Sequence, residues 1–392
     1  MTLNNYSKNF FLLFLLFISL ILIIFLREPC WLIEGSFQRD DFGYYKLGKM
    51  NSFLGNIFQI QSGTGALMFL SNIINAITSL FSYDVAKILS KYLVVIVYLF
   101  IFFYIYFTKS SLLTSKKHKI FSILVILLSP PMTPEVWMSS AHLRGYFGIF
   151  SFILLFNDHK KEKKIINYIT NFLIFTLGVS SIYSVALMPA YFLKFYFNKN
   201  KKNFYNFLSS LFAFLIQFIA IINYILSSFT TTVRFHFDPS AFYSYFYNVI
   251  IRSFFGSAIP KFLFFNNGIY SMQYFTYFIY FILILISLIT LRYISKKNNK
   301  DIFIMFVALI IVSGLIIIGS IQPGFAGGRY AVVPGVMIIF IVFKFFIIEN
   351  NIFLKNFFLF LLITTITVGA IEYKYKSPFT EALKCRDYSH RI

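Results

Sequence analysis

Long apolar runs recur from one end of this 392-residue chain to the other, and they restrict its fold more than any other feature. Each is near the roughly 20 residues that a helix needs to cross a hydrocarbon core of about 30 Å. Backbone in lipid must satisfy its own hydrogen bonds, so such runs fold as helices. Only 12% of the residues are charged, and no polar stretch is long enough for a separate soluble domain. The sequence therefore predicts an all-α polytopic membrane protein.

The apolar runs predict about 11 transmembrane helices, within a range of about 10 to 13. We expect one membrane domain over residues 1–371 and a short external tail over 372–392. Residues 62–82 are only moderately apolar, and they fit a further span, a re-entrant segment or an interfacial helix. The candidate spans are 9–26, 86–107, 120–130, 143–156, 165–178, 184–197, 204–226, 275–293, 302–320, 331–348 and 356–371.

Short lysine clusters between the apolar runs predict the orientation of the chain. They include residues 116–119, 160–164, 199–202 and 296–300. Cytoplasmic loops are enriched in positive residues, so we place these clusters inside. The spans then alternate with the N-terminus inside and the C-terminus outside, provided that 62–82 does not cross or that another segment compensates. This use of lysine accounts for the net charge of +21 without a nucleic-acid partner.

Arginine is distributed differently from lysine, because most arginines fall on the predicted outer side. Arginine binds phosphate and carboxylate groups through two parallel hydrogen bonds, so this bias favours an external anionic ligand. The alternative is that these arginines pair with external carboxylates or bind lipid headgroups. The outer set is Arg27, Arg39, Arg144, Arg234, Arg252, Arg329, Arg386 and Arg391.

The first external loop carries two adjacent carboxylates, Asp40 and Asp41, followed by Tyr44 and Tyr45. Neighbouring negative charges repel each other, which favours a retained proton on one of them near neutrality. Such a group suits a general base acting on a sugar or lipid hydroxyl, and the pair also suits Mg²⁺ or Mn²⁺. The tyrosines suit stacking on a sugar ring. The alternative is a solvated loop in which the aspartates cap a short helix.

A second external stretch carries Glu135, His142 and Arg144 behind a group of prolines that ends the preceding helix. Arg144 or His142 is a candidate ligand for a lipid phosphate, and Glu135 is a candidate for binding an acceptor. A carboxylate so close to hydrocarbon needs a partner, which supports a role for Glu135. The alternative for His142 is an interfacial histidine that is hydrogen-bonded to backbone.

Two further external stretches add candidate binding residues. Residues 322–334 contain a glycine-rich loop, which lets backbone amides approach an anion, and this loop ends with Arg329 and Tyr330. The alternative is a tight loop in which these two residues anchor the chain at the membrane interface. Residues 227–274 contain Arg234 among aromatic residues, and we expect short surface-lying segments there or an interfacial aromatic belt.

Several classes of protein and site have no signal in the sequence. It has no nucleotide-binding glycine loop, zinc-spaced cysteine and histidine set, serine hydrolase pattern or dinucleotide fingerprint. Acidic residues within the spans are sparse, which argues against a proton-coupled transporter. The two cysteines, Cys30 and Cys385, both fall on the predicted outer side, and whether they pair stays open.

Three of these stretches carry a resemblance to a known group of enzymes. The acidic pair with aromatic neighbours, directly after the first span, resembles the GT-C superfamily of integral membrane glycosyltransferases, which use polyprenyl-phosphate-linked sugars. Arg329-Tyr330, with Pro334 four residues later, resembles the Arg-Tyr-x-x-x-Pro start of a late helix in that superfamily. The pattern Ser-Pro-x-x-x-Pro-Glu at 129–135 looks like hairpins of envelope glycosyltransferase-like proteins.

The resemblance implies roles for the external residues. Asp40 is the catalytic base and Asp41 its neighbour or a metal or substrate ligand, although the two assignments are interchangeable. Arginines hold the leaving phosphate, and short surface helices form in the first loop. The implied substrate-binding set is Tyr44, Glu135, His142, Arg144, Arg234, Arg329 and Tyr330.

The implied function is transfer of a hexose or pentose from a polyprenyl-phosphate carrier to an external lipid-linked glycan or envelope acceptor. The implied location is the bacterial inner membrane, with the active face outside. Two alternatives stay open. One is a polysaccharide polymerase of the O-antigen type, and the other is a non-enzymatic flippase or exporter of lipid-linked sugars.

Overall fold

A computed structural model of the chain describes residues 14, 17–26, 33, 35, 37, 39–61, 65–130, 139–157, 164–227, 245–256, 299–319 and 328–375. The regular structure in these ranges is helical. Two isolated antiparallel bridges, Ile60 with Leu67 and Ser110 with Asn157, are the β pairing found there. The predicted span at 275–293 lies outside the described residues.

The described helices coincide with each predicted span that falls within the described ranges. A π-helical segment, Phe246–Ile251, and a 3₁₀ turn, Gly328–Ala331, accompany them. In chain order the helices are α1 (Phe17–Leu26), α2 (Arg39–Met50), α3 (Phe53–Ile57), α4 (Phe69–Thr78), α5 (Tyr83–Phe107), α6 (Lys116–Leu128), α7 (Leu143–Leu155), α8 (Lys164–Ser180), α9 (Ile182–Ala186), α10 (Met188–Phe197), α11 (Lys201–Ser227), α12 (Arg252–Phe255), α13 (Lys300–Gly319), α14 (Val332–Ile348) and α15 (Ile352–Tyr375).

Four of the described helices, α5, α11, α13 and α15, are long and apolar enough to cross a membrane alone. A fifth crossing is counted if α8 and the α9–α10 segment, which meet at a bend of 115°, form one broken span. Helices α1, α4, α7 and α14 are apolar but have 10–17 residues. The described part of the chain therefore has the helix lengths of a helical membrane protein, with four or five crossings counted within it, and the number of about 11 stays a prediction.

Two of the short helices, α7 and α14, form the centre of the bundle. Every residue of α7 except Arg144 is buried, and most of α14 is buried as well. A helix that is apolar on all sides is covered by other helices or by lipid, and here other helices bury nearly all of it. A Cβ atom at Gly145 would lie within 4.0 Å of the side chains of Val332 and Val333, so the first turns of α7 and α14 touch.

The other ends of these two helices also meet, through a cluster that we call the lysine end. Lys344, near the end of α14, donates to the carbonyl oxygen of Ser111 over 2.8 Å. The amide of Ser111 in turn donates to the carbonyl oxygen of Phe156, directly after α7. Helices α7 and α14 therefore run in the same direction. The lysine end consists of Ser110, Ser111, Asn157, Lys194, Lys202, Asp301 and Lys344.

An ion pair joins α10 to α13 at the lysine end. The ammonium of Lys194 lies 2.6 Å from the Asp301 carboxylate, and the Lys194 side chain is only 5% exposed. Lys202, in the first turn of α11, donates to the carbonyl oxygen of Asn157 over 3.0 Å. Lysines from three helices thus converge on carbonyl oxygens and one carboxylate, which offsets the cost of burying their charges.

The described residues of 51–61 and 65–82 form two short helices in a hairpin rather than one long helix. Helices α3 and α4 are joined by the bridge between Ile60 and Leu67. With 10 residues, α4 is about 15 Å long, too short to cross a hydrocarbon core of about 30 Å. A full span by one straight helix is therefore not formed, which leaves the re-entrant and interfacial alternatives for 62–82.

A buried glutamine of α11 holds this hairpin in place. The side chain of Gln217 accepts from the amide of Leu67 over 2.9 Å and donates to the Leu67 carbonyl oxygen over 2.7 Å. Its Nε2 also lies 3.0 Å from the carbonyl oxygen of Val179, near the end of α8. One side chain therefore links the hairpin, the bend after α8 and the middle of α11.

The C-terminal helix continues beyond the predicted end of the membrane domain. Helix α15 extends to Tyr375, four residues past position 371. The rest of the predicted tail lies outside the described residues, as do Cys30 and Cys385 and their predicted pairing.

The contact between α8 and α11 predicts a strong effect of adding one methyl group. A Cβ at Gly178 would lie 2.5 Å from the Cβ of Ala213, which cannot move without its backbone. We expect Gly178→Ala to lower the free energy of unfolding by about 1–3 kcal/mol through overpacking. Thermal unfolding of the purified protein in detergent would measure this change.

Gly314→Ala in α13 is the matched control, because a Cβ there meets nothing within 4 Å. Alanine is the better helix former by about 1 kcal/mol, so this variant should be as stable as the wild type or more so. Equal effects of the two substitutions would contradict the close packing of α8 against α11.

Candidate functional site

Helix α2 begins at Arg39 and thereby places Asp40 and Asp41 in its first turn. Carboxylates interact favourably with the positive end of the helix dipole at this position. Neighbouring residues on a helix do not face each other, so the two side chains point in different directions. The start of α2 therefore separates two groups that are adjacent in sequence.

Asp41 points into the protein, where its side chain is fully buried. Its Oδ1 accepts hydrogen bonds from the hydroxyl of Ser139 over 2.9 Å, the hydroxyl of Ser140 over 3.0 Å and the amide of Ala141 over 3.0 Å. Its Oδ2 lies 3.5 Å from the ammonium of Lys91, which is also fully buried. Both carboxylate oxygens thus face hydrogen-bond donors that belong to the protein.

The buried network extends to Asn75 in α4. The Ser140 hydroxyl oxygen lies 2.9 Å from the side-chain amide of Asn75. A hydroxyl donates only one hydrogen bond, and Ser140 uses it on Asp41. The orientation of the Asn75 amide that satisfies all three groups places its NH₂ against the Ser140 oxygen. Helices α2, α4 and α5 are therefore tied to residues 139–141 by one connected set of polar contacts.

Asp40 points toward the surface and pairs with His142. Its Oδ2 lies 3.2 Å from Nε2 of His142; the Asp40 side chain is 41% exposed and that of His142 only 5%. Burial lowers the pKa of His142, the hydrogen bond to Asp40 partly opposes this shift, and the charge of Arg144 lowers the pKa further. Near neutrality a neutral imidazole therefore donates its Nε2 hydrogen to the Asp40 carboxylate.

Arg144 follows His142 and joins α7 to the hairpin. Its Nη1 donates to Oε1 of Gln61 over 2.6 Å and lies 3.9 Å from the sulfur of Met68. Its carbonyl oxygen accepts from the hydroxyl of Ser181, at the break between α8 and α9, over 2.7 Å. The guanidinium is therefore held at a fixed place beside the Asp40–His142 pair.

The remaining predicted residues of the site are described to different extents. Tyr44 lies on α2 four residues after Asp40, hence on the same face, and is half-buried. Arg329 and Tyr330 lie in the 3₁₀ turn that leads into α14. The contact of Val332 with Gly145 puts this turn at the same end of the bundle as Arg144. Tyr330 packs partly buried against the core, whereas only the backbone of Arg329 is described.

Two predicted substrate-binding residues, Glu135 and Arg234, lie outside the described residues. The structure adds residues that the sequence did not single out, namely Gln61, Lys91, Ser139 and Ser140. Lys91 had a detectable signal, because it is a charged residue five positions inside the apolar run that begins at residue 86. The serines and Gln61 had none, since polar residues of loops are common.

The geometry differs from the expectation that Asp40 and Asp41 act as one acidic pair. Their carboxylates have separate partners, His142 for Asp40 and Lys91 for Asp41. Asp41 does not fit a bound Mg²⁺ or Mn²⁺, because both of its carboxylate oxygens face hydrogen-bond donors of the protein. Within the described ranges, no group of three or more histidine, cysteine, aspartate and glutamate side chains is arranged to hold a metal ion.

Comparison of the chain with protein-family models, with curated proteins and with solved structures finds no match. The resemblance to the GT-C superfamily therefore remains a prediction from the sequence, and the function is argued from the geometry of the site.

The burial of His142 predicts a pH-dependent stability. The pKa of His142 is lowered in the folded state, so the unfolded chain binds more protons below the usual histidine pKa. The protein should lose stability as the pH falls through about 6.5, by at most about 2 kcal/mol at pH 5 from this residue. Chemical unfolding of the wild type and of His142→Gln between pH 7.5 and 5 measures the difference.

The variant His142→Gln should lose less stability than the wild type over this interval. His118→Gln is the comparison, because burial and the charge of Lys344 lower the pKa of His118 as well, but its side chain is less buried than that of His142, so we expect a smaller effect of the same sign. Identical pH profiles of wild type and His142→Gln would contradict the buried, neutral state of this histidine.

Proposed function

We propose that this chain is a membrane glycosyltransferase. It moves a sugar from a polyprenyl-phosphate carrier to an external lipid-linked glycan or envelope acceptor. The observation that carries the proposal is the Asp40–His142 pair, in which a half-exposed carboxylate lies 3.2 Å from a buried neutral imidazole. A carboxylate oriented in this way, with Arg144 beside it at one end of an apolar bundle, suits acid–base chemistry at a membrane surface.

In the proposed reaction, Asp40 accepts the proton of the acceptor hydroxyl as its oxygen attacks the anomeric carbon of the donor sugar. The bond between that carbon and the phosphate oxygen breaks, and polyprenyl phosphate leaves with the electron pair. A single displacement of this kind inverts the anomeric configuration. His142 keeps the Asp40 carboxylate oriented through its Nε2 hydrogen, and the reaction returns one proton to solvent from Asp40.

Arginines are the groups proposed to stabilise the leaving phosphate. Arg144 is supported by its fixed position, which Gln61 maintains over 2.6 Å. Arg329 and Arg234 are included on the resemblance described above, and the position of the 3₁₀ turn beside α7 supports Arg329. Because a guanidinium fork matches two phosphate oxygens, these residues provide both charge and orientation.

The proposed orientation places the lysine end in the cytoplasm and Asp40 outside, in the bacterial inner membrane. The two ends of the bundle support it. Helices α10, α11 and α14 bring Lys194, Lys202 and Lys344 together at one end, and Asp40 and Arg144 lie in the first turns of α2 and α7 at the other. With about 11 crossings, the N-terminus is inside and the C-terminus outside, which agrees with the positive-inside rule.

The proposed base predicts a specific loss of activity. We expect Asp40→Asn to slow transfer by about 100-fold or more, because removal of a positioned general base costs a factor of roughly 10²–10⁴. The protein would be reconstituted in liposomes with bacterial envelope glycolipid extract as acceptor. Labelled polyprenyl-phosphate hexoses and pentoses would serve as donors, and release of polyprenyl phosphate would be followed by mass spectrometry.

Asp84→Asn provides the control for this experiment. Asp84 also begins a helix and pairs with a lysine, but its side chain is 81% exposed and lies outside the proposed site. It should retain wild-type activity at equal protein levels. Full activity of Asp40→Asn would remove Asp40 as the base, and the absence of donor cleavage by the wild type would exclude these donors.

A second candidate function is favoured by one observation, the ion pair between Asp41 and Lys91. Lys91 lies eight residues into α5, about 12 Å from its start, and both side chains are fully buried between helices. Buried charges between helices are typical of transport paths, so a flippase or exporter of lipid-linked sugars is the alternative. Movement of a fluorescent polyprenyl-phosphate sugar across the liposome bilayer without its cleavage would favour this candidate.

A further inference from the structure

Lys91 is the feature that the proposed chemistry does not use. Its side chain is fully buried within a candidate membrane span, 3.5 Å from Asp41. Burying two charges costs several kcal/mol per ion, and attraction between the ions compensates for this only with good geometry and further hydrogen bonds. The three donors on Asp41 supply those hydrogen bonds. The arrangement is therefore complete as a buried network, without a substrate or a metal.

The donors on Asp41 come from three consecutive residues that lead directly to His142. Ser139 and Ser140 use their hydroxyls, and Ala141 uses its backbone amide. Residues 139–141 are not helical, so the repeating backbone bonds of a helix do not fix them. Instead, the three hydrogen bonds to Oδ1 of Asp41 hold residues 139–141, which lie immediately before His142.

The same turn of α2 carries Asp41 and Asp40. The anchor and the partner of His142 are thus adjacent residues of one helix, and the distance between Asp40 and His142 depends on where Asp41 holds residues 139–141. Lys91 fixes the other side of the Asp41 carboxylate and ties it to α5. Contacts through Asp41 therefore connect the buried Lys91 of α5 with the half-exposed Asp40–His142 pair.

We propose that Asp41 and Lys91 are a pair of positioning residues that set the contact between His142 and Asp40. Neither touches the substrate. This role replaces a catalytic or metal-binding role for Asp41, and it gives a role to Lys91. Its effect on sugar transfer rests on the proposed function, whereas the control of the Asp40–His142 contact does not.

The test measures the coupling between Asp40 and His142 directly, without any sugar substrate. The pKa of His142 would be determined by NMR on protein labelled at histidine, with the signal assigned through His142→Gln. The Asp40 carboxylate raises this pKa, so Asp40→Asn should lower it in the wild-type background. The size of that decrease reports how closely Asp40 and His142 are held together.

The same decrease would be measured in the double variant Asp41→Leu with Lys91→Met. This variant removes both charges together, because removal of one alone leaves an uncompensated buried charge that strongly destabilises the fold. We expect the Asp40-dependent decrease to shrink to less than half of the wild-type value. The background Asp84→Asn, which removes an exposed aspartate of α5, should keep the full decrease.

A second background guards against failure of the double variant to fold. Ser139→Ala with Ser140→Ala removes two of the three donors on Asp41 and leaves the ion pair intact. It should also reduce the Asp40-dependent decrease. An undiminished decrease in either background, or no decrease in the wild type, would overturn the proposed positioning role. Loss of coupling with no detectable sugar transfer by the wild type would support positioning and contradict the proposed function.

Discussion

A charge buried among apolar helices needs an opposite charge and a full set of hydrogen bonds, and this requirement organises both ends of the bundle. At one end, Asp41 and Lys91 lie 3.5 Å apart with no exposure to solvent, and three further donors bind the Asp41 carboxylate. At the other end, Lys194 meets Asp301 over 2.6 Å. Each contact joins helices that are far apart in the chain, so the charges decide which helices are neighbours where apolar packing alone has little specificity.

The polar contacts also explain why several helices are short. A helix that stops inside apolar surroundings leaves carbonyl and amide groups without intrahelical partners, and these groups need side chains or neighbouring backbone. At the break between α8 and α9, the Ser181 hydroxyl donates to the carbonyl oxygen of Arg144. Before α7, the amide of Ala141 donates to the Asp41 carboxylate. Because α7 begins at Leu143, His142 and Arg144 lie at the start of a central helix. A continuous helix through this region would leave no loop for them.

The helices were predictable from the sequence, whereas the contacts between them were not. The length of apolar runs located helices such as Lys201–Ser227 and Val332–Ile348, because the residues that form such a run are adjacent in the chain. The partners of Asp41 are 50 residues away at Lys91 and 98 residues away at Ser139, and no local pattern encodes such pairing. The sequence identified Asp40, Asp41, His142 and Arg144 as candidates, but their division into a buried anchor and a half-exposed pair depends on the residue at which α2 begins.

Gln217 has a consequence for how this protein can change over evolution. Its amide serves the hairpin at Leu67 and the carbonyl oxygens of Gly178 and Val179 at the same time. The bend after α8 and the turn before α4 therefore share one supporting side chain. If the bend after α8 became straight, the glutamine at 217 would lose its contacts with Gly178 and Val179. If the glutamine were replaced, both the bend and the hairpin would lose hydrogen bonds. We expect these three regions to vary together, although the hairpin at Leu67 lies 150 residues from Gln217 along the chain.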